Sequence, residues 1–113
     1  MTMGIPDAGL KMHAGWLTKK GEGIMAKSQQ RWFALYRNGE CHYFDNDQPS
    51  LKSHKGLIVL RGVPFSAIQR VKPGTNDYSF TITTPKRKWH LRATSKPDWD
   101  GWYFAFEDLL KGS

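Results

Sequence analysis

The residues of this chain best suited to chemistry are cations in short groups: Lys19 and Lys20, Lys27, Arg31, Lys52 and Lys55, and the run Lys86-Arg87-Lys88. Arg31 offers a planar guanidinium fork, and the lysines offer compact point charges. A phosphate monoester carries about −1.5 to −2 charges near neutral pH, so two adjacent ones call for several such donors from different segments. Seventeen Lys and Arg against ten Asp and Glu leave a formal charge of +7. On a small domain that surplus points to a polyanionic partner: nucleic acid, acidic lipid or acidic protein.

Other chemistries find little support. Cys41 is the only cysteine, so neither an internal disulfide nor a thiolate metal cluster can form, and a reducing intracellular compartment is expected. His13, His42, His54 and His90 are scattered without metal-ligand spacing, and no metal site is expected. No Ser-His-Asp, Cys-His or paired-carboxylate pattern stands out, and no glycine-rich loop joins a strand to a helix. The chain reads as a non-catalytic module without a cofactor.

The elements that must position the cations are short. At 113 residues the chain fits one domain, divided into a lead-in over 1–12, a folded unit over 13–111 and a tail of 112–113. No apolar run approaches the roughly 18 to 20 residues needed to span a bilayer, and no signal-peptide pattern opens the chain. Alternating aromatic-rich runs predict strands over 15–20, 31–36, 40–44, 57–60, 67–71, 78–83 and 88–93. Asn38-Gly39 predicts a tight hairpin with both residues at positive φ. After Ser95 and Pro97 the period changes, and Trp99, Trp102, Phe106, Leu109 and Leu110 mark one face of a helix that Gly112 can end. Trp16, Trp32, Trp89 and Trp102 each fall in step with their element, as packing residues do. That argues against an exposed stacking platform, so no nucleic-acid partner is expected.

Seven strands followed by one amphipathic helix resemble the pleckstrin homology (PH) family. The matching residues are Gly15-Trp16-Leu17-Thr18-Lys19, Arg31-Trp32-Phe33-Ala34-Leu35, Tyr43-Phe44, Lys55-Gly56-Leu57-Ile58, and Trp102 with Ala105, Phe106 and Leu109; the resemblance covers about 14–111. It implies a mainly β fold, a seven-stranded antiparallel sandwich or partly open barrel of two near-orthogonal sheets capped by the C-terminal helix. The loops after strands one, three and six would then line the open end and gather about half of the chain's Lys and Arg.

The resemblance further implies that Lys19, Lys27, Arg31, Tyr43 and Lys55 hold an inositol phosphate headgroup. Lys20, Lys52, Lys86, Arg87 and Lys88 would form a basic rim that draws in acidic membrane. Gln29 stands where the family's lipid binders carry a further basic residue, and it supplies no charge. Ile24 and Met25, at the tip of the first loop, suit shallow membrane insertion. The expected role is a monomeric, cytoplasmic module, peripheral at the plasma membrane or an endomembrane, that recruits a larger protein to phosphoinositides. The alternative on the same scaffold is a protein-interaction module holding a peptide or small GTPase, with weak or no lipid specificity.

Overall fold

Residues 5–21, 27–72 and 74–111 are described in the computed structural model. Seven antiparallel strands follow a short 3-10 turn at Ala8–Leu10: β1 Lys11–Lys20, β2 Ser28–Tyr36, β3 Glu40–Phe44, β4 His54–Val59, β5 Ile68–Arg70, β6 Ser79–Thr83 and β7 Lys88–Arg92. A second 3-10 turn, Phe65–Ala67, leads into β5, and the helix α1 spans Lys96–Lys111. Strand β1 therefore begins two residues inside the stretch read as a lead-in. The two expected sheets are linked by hydrogen bonds into one, in the order β4-β3-β2-β1-β7-β6-β5. Its four-stranded and three-stranded halves meet where Thr18 and Lys19 of β1 pair with Arg92 and Leu91 of β7.

Strand alternation decides what is buried. Leu17, Phe33, Cys41 and Ile58 lie on one face through the pairings of β1 with β2, β2 with β3 and β3 with β4, and all are essentially without solvent contact. Phe80, Ile82 and Leu91 close the core from the other half. Burying each such side chain stabilises the fold by roughly 1.5–3 kcal/mol. A smaller cluster on the opposite face, Ala34, Tyr36 and Phe44, is covered by Ile5, Ala14 and Trp32. There Trp16 and Trp32, directly paired across the strands, meet edge to face at 5.5 Å.

The β2–β3 turn differs from the expected form. Gly39 has φ +87°, whereas Asn38 does not lie at positive φ. The Gly39 N–H donates to the Tyr36 carbonyl at 3.1 Å, and the Asn38 side chain accepts from the Glu40 N–H at 3.1 Å. The turn thus has three residues, with only the last one left-handed, and the asparagine acts through its side chain.

Helix α1 starts as its sequence suggests. The Ser95 hydroxyl caps it by accepting from the Asp98 N–H at 3.3 Å, and the Asp98 carboxylate accepts from the Thr94 N–H at 3.4 Å. Trp99, Trp102 and Phe106 are its buried residues. Its C-terminal Leu109 and Leu110 lie beside the β2–β3 turn and Leu60–Pro64, while Trp102 meets His13 edge to face at 4.5 Å. Arg70 of β5 lies over the rings of Trp99 and Tyr103, at 4.6 and 4.0 Å, and pairs with Asp100 at 2.8 Å. The helix therefore closes the end of the fold away from the β1–β2, β3–β4 and β6–β7 loops.

Candidate functional site

The strand ends that lead into those three loops lie together, because Lys19 pairs with Gln29, Trp32 with Phe44 and Thr83 with Lys88 close to them. Alternation along β1 puts Lys19 on the same face as Leu17, and only 8% of it is exposed. Its ammonium lies 5.4 Å from the centre of the Tyr43 ring. That ring stacks on Phe33 at 5.1 Å and meets the Trp89 ring at 6.0 Å. The Arg87 guanidinium lies 3.8 Å over the far partner, Trp89. A column of aromatic rings thus carries one cation from β1 and another from the β6–β7 loop, each held against a π face.

Arg31, opposite Leu17 in the β1–β2 ladder, shares that face. Its guanidinium lies 3.7 Å from Asp45, whose second carboxylate oxygen lies 3.2 Å from the Lys55 ammonium. A bulge makes this meeting possible. Tyr43 pairs with Gly56 and Phe44 with His54, so Lys55 is the extra residue between two ladder positions, and a bulge re-aims the side chain it carries.

Lys19, Arg31, Tyr43 and Lys55 are therefore gathered at one end, with Arg87 beside them. The other expected residues are placed differently. Lys20 points to the opposite face, where it lines a groove of about 220 Å³ with Thr18, Ser28, His90 and Arg92. Lys27, Lys52, Lys86 and Lys88 are exposed around the rim. Ile24 and Met25 lie outside the described residues, as does Gly112. Gln29, directly opposite Lys19, brings no charge to the set.

Three features had no signal in the sequence. One is Asp45 as the shared partner of Arg31 and Lys55. Another is Gly56, where a side-chain carbon would lie 2.3 Å from the Tyr43 ring. The third is a relay of polar groups on the other face of β3. His42, itself buried, meets His54 at 2.9 Å through one ring nitrogen and Glu40 at 2.8 Å through the other. Arg61 completes it with a 3.2 Å contact to Glu40. Among the described residues no group of three or more His, Cys, Asp or Glu could hold a metal ion.

His13 and His54 give the fold an acid-sensitive stability. Burial holds the pKa of His13 below 6.5, against an opposing pull from Asp98. Burial, and then the neighbouring His42, do the same for His54. For each, the unfolded chain binds protons more readily, so the contribution is complete above 6.5 and is lost as pH falls. Glu40 is held below 4.5, chiefly by its hydrogen bond to His42, so its contribution is lost only under stronger acid. The melting temperature is expected to fall by a few degrees between pH 7.5 and pH 5.5, the histidine window, and again below about pH 4.5. Replacing His54 with Asn is expected to flatten the first fall, as read by circular dichroism.

A β-rich sheet is thus closed at one end by a helix and carries a group of cations at the other. The PH domain family model matches residues 11–111, and the chain belongs to the PH domain family, non-catalytic modules of signalling and trafficking proteins. A PH domain-containing protein of Dictyostelium discoideum is 30% identical over 98 residues, covering 87% of this chain and 20% of that protein. Human oxysterol-binding protein-related protein 9 is 27% identical over 93 residues, covering 80% of this chain and 12% of that protein. The chain thus spans about a fifth or less of these curated relatives. Among solved structures, the C-terminal PH domain of pleckstrin in complex with D-myo-Ins(1,2,3,5,6)P5 superposes with a TM-score of 0.72 at 24% identity, covering 91% of this chain and 98% of that one.

Proposed function

We propose that this domain binds phosphoinositide headgroups at its open end and thereby holds a larger signalling or trafficking protein at an acidic membrane surface on the cytoplasmic side. The observation that carries this reading is the convergence of Lys19, Arg31, Tyr43 and Lys55 from four strands onto one end. A buried lysine beside an arginine fork supplies charge-assisted donors at different angles, as a ring bearing adjacent phosphates requires. The exposed Lys27, Lys52, Lys86 and Lys88 add longer-range attraction to acidic lipid, at about 1 kcal/mol per residue near the surface. The inositol phosphate complex of the pleckstrin domain supports the same class of ligand on the same scaffold.

Vesicle sedimentation tests the reading. The wild-type domain is expected to bind phosphatidylcholine vesicles carrying a polyphosphorylated phosphoinositide more tightly than vesicles carrying phosphatidylserine at equal charge. Lys19→Ala and Arg31→Ala should each weaken the first interaction about tenfold or more, the worth of one hydrogen bond to a charged group. Equal binding to all acidic vesicles would reduce the site to nonspecific charge. Failure to bind any of them would return the domain to the protein-interaction reading.

A further inference from the structure

Arg31 and Lys55 reach toward the same point, and a carboxylate of the chain itself already occupies it. Asp45 places one oxygen 3.7 Å from the Arg31 guanidinium and the other 3.2 Å from the Lys55 ammonium. A phosphate bridging the same two cations would present two oxygens in much the same way. Building on the headgroup reading above, we propose that Asp45 is an internal competitor for phosphate, a tethered anion that an incoming headgroup must displace and that sets the affinity of the site.

The surroundings show how the displacement occurs. The Asp45 backbone is fixed, its N–H donating to the Ser53 carbonyl at 2.8 Å. The rest of the β3–β4 loop is tied internally, with the Ser53 hydroxyl donating to the Gln48 carbonyl at 3.1 Å and the Ser50 and Ser53 hydroxyls 3.1 Å apart. The loop therefore has no need to open. The Asp45 side chain is 45% exposed, so it can rotate into water and release both cations. Exposed ion pairs of this kind are weak individually, but a tethered partner is present at high effective concentration. A dianionic phosphate offers more charge to the same donors and wins the exchange. After the exchange the displaced carboxylate remains within several ångströms and repels the ligand, so Asp45 lowers affinity both by occupying the pair and by its charge.

Titration calorimetry with a soluble inositol trisphosphate and pentakisphosphate tests the proposal, using wild type, Asp45→Asn and Asp47→Asn. Asp47 is exposed in the same loop, and replacing it changes the net charge equally without touching the pair. Asp45→Asn keeps the backbone hydrogen bond to Ser53, and an unchanged melting temperature will verify its fold. The expected result is binding about three- to tenfold tighter for Asp45→Asn, of the order that one unit charge about 4 Å away commands in a water-like dielectric, with a clearly smaller change for Asp47→Asn. Binding by Asp45→Asn where wild type shows none also supports the competitor role. If wild type binds and Asp45→Asn is weaker, unchanged or matched by Asp47→Asn, the competitor role is overturned while the headgroup reading stands. Absence of binding by all three proteins overturns both.

Discussion

Alanine in place of Gly56 is expected to weaken headgroup binding at least as much as loss of Lys19, although Gly56 carries no side chain to touch a ligand. A methyl group there would stand 2.3 Å from both Cζ and the hydroxyl oxygen of Tyr43, far inside contact distance. The ring cannot yield cheaply, because Phe33 stacks on it at 5.1 Å and Trp89 lies 6.0 Å away. Either the ring leaves its place, taking with it the surface beneath the Lys19 ammonium, or β4 shifts and carries Lys55 with it. Overpacking of this kind typically costs about 1–3 kcal/mol of stability. The check is paired: urea unfolding for stability and vesicle sedimentation for binding. In a Tyr43→Ala background, Gly56→Ala should cost little further stability, and binding should stay lost. A single Gly56→Ala domain with wild-type binding would show that Tyr43 is not part of the site.

The largest loss of stability is expected at Trp102. This side chain is fully buried in α1, meets the His13 ring at 4.5 Å and the Phe106 ring at 5.7 Å, and lies against Gly15 of β1. Truncating a buried Trp to Ala costs about 3–5 kcal/mol, a large part of the 5–15 kcal/mol typical of a whole domain. Denaturation followed by circular dichroism should show Trp102→Ala with a much lower urea midpoint, and Trp102→Phe should retain roughly half of the difference. A Trp102→Ala midpoint close to wild type would mean that the helix is not what closes the core at this end.

Much of the scaffold was legible because it rests on local rules. The alternation of Tyr78, Phe80 and Ile82, or of Trp89 and Leu91, states which face is buried before any partner strand is known. The three- and four-residue steps of Trp99, Trp102 and Phe106 do the same for the helix. What was not legible depends on partners distant in sequence. Lys11-Met12-His13 shows no clean alternation, and it becomes strand because β2 lies beside it, with an irregular register between Lys11 and His13. Asn38 looked like a residue at positive φ, yet its side chain satisfies the Glu40 N–H instead. In the site, residue types pointed to Lys19, Arg31 and Lys55, but the bulge that lets Lys55 and Arg31 share Asp45 is a matter of ladder register. The contact between His42 and His54 likewise spans twelve positions and joins two strands whose pairing no local pattern specifies.

The joint between β1 and β7 carries a consequence for local opening. Among the described residues, the ladder holding the three-stranded half to the four-stranded half consists of Thr18 with Arg92 and Lys19 with Leu91. Lys19 therefore belongs to the joint through its backbone and to the site through its side chain. A polyanion gripping Lys19 and Arg31 on one side and the β6–β7 loop on the other would act as a clasp across that joint. On the headgroup reading, a ligand that spans the joint would oppose its opening, so bound ligand should slow amide exchange at Thr18, Lys19, Leu91 and Arg92.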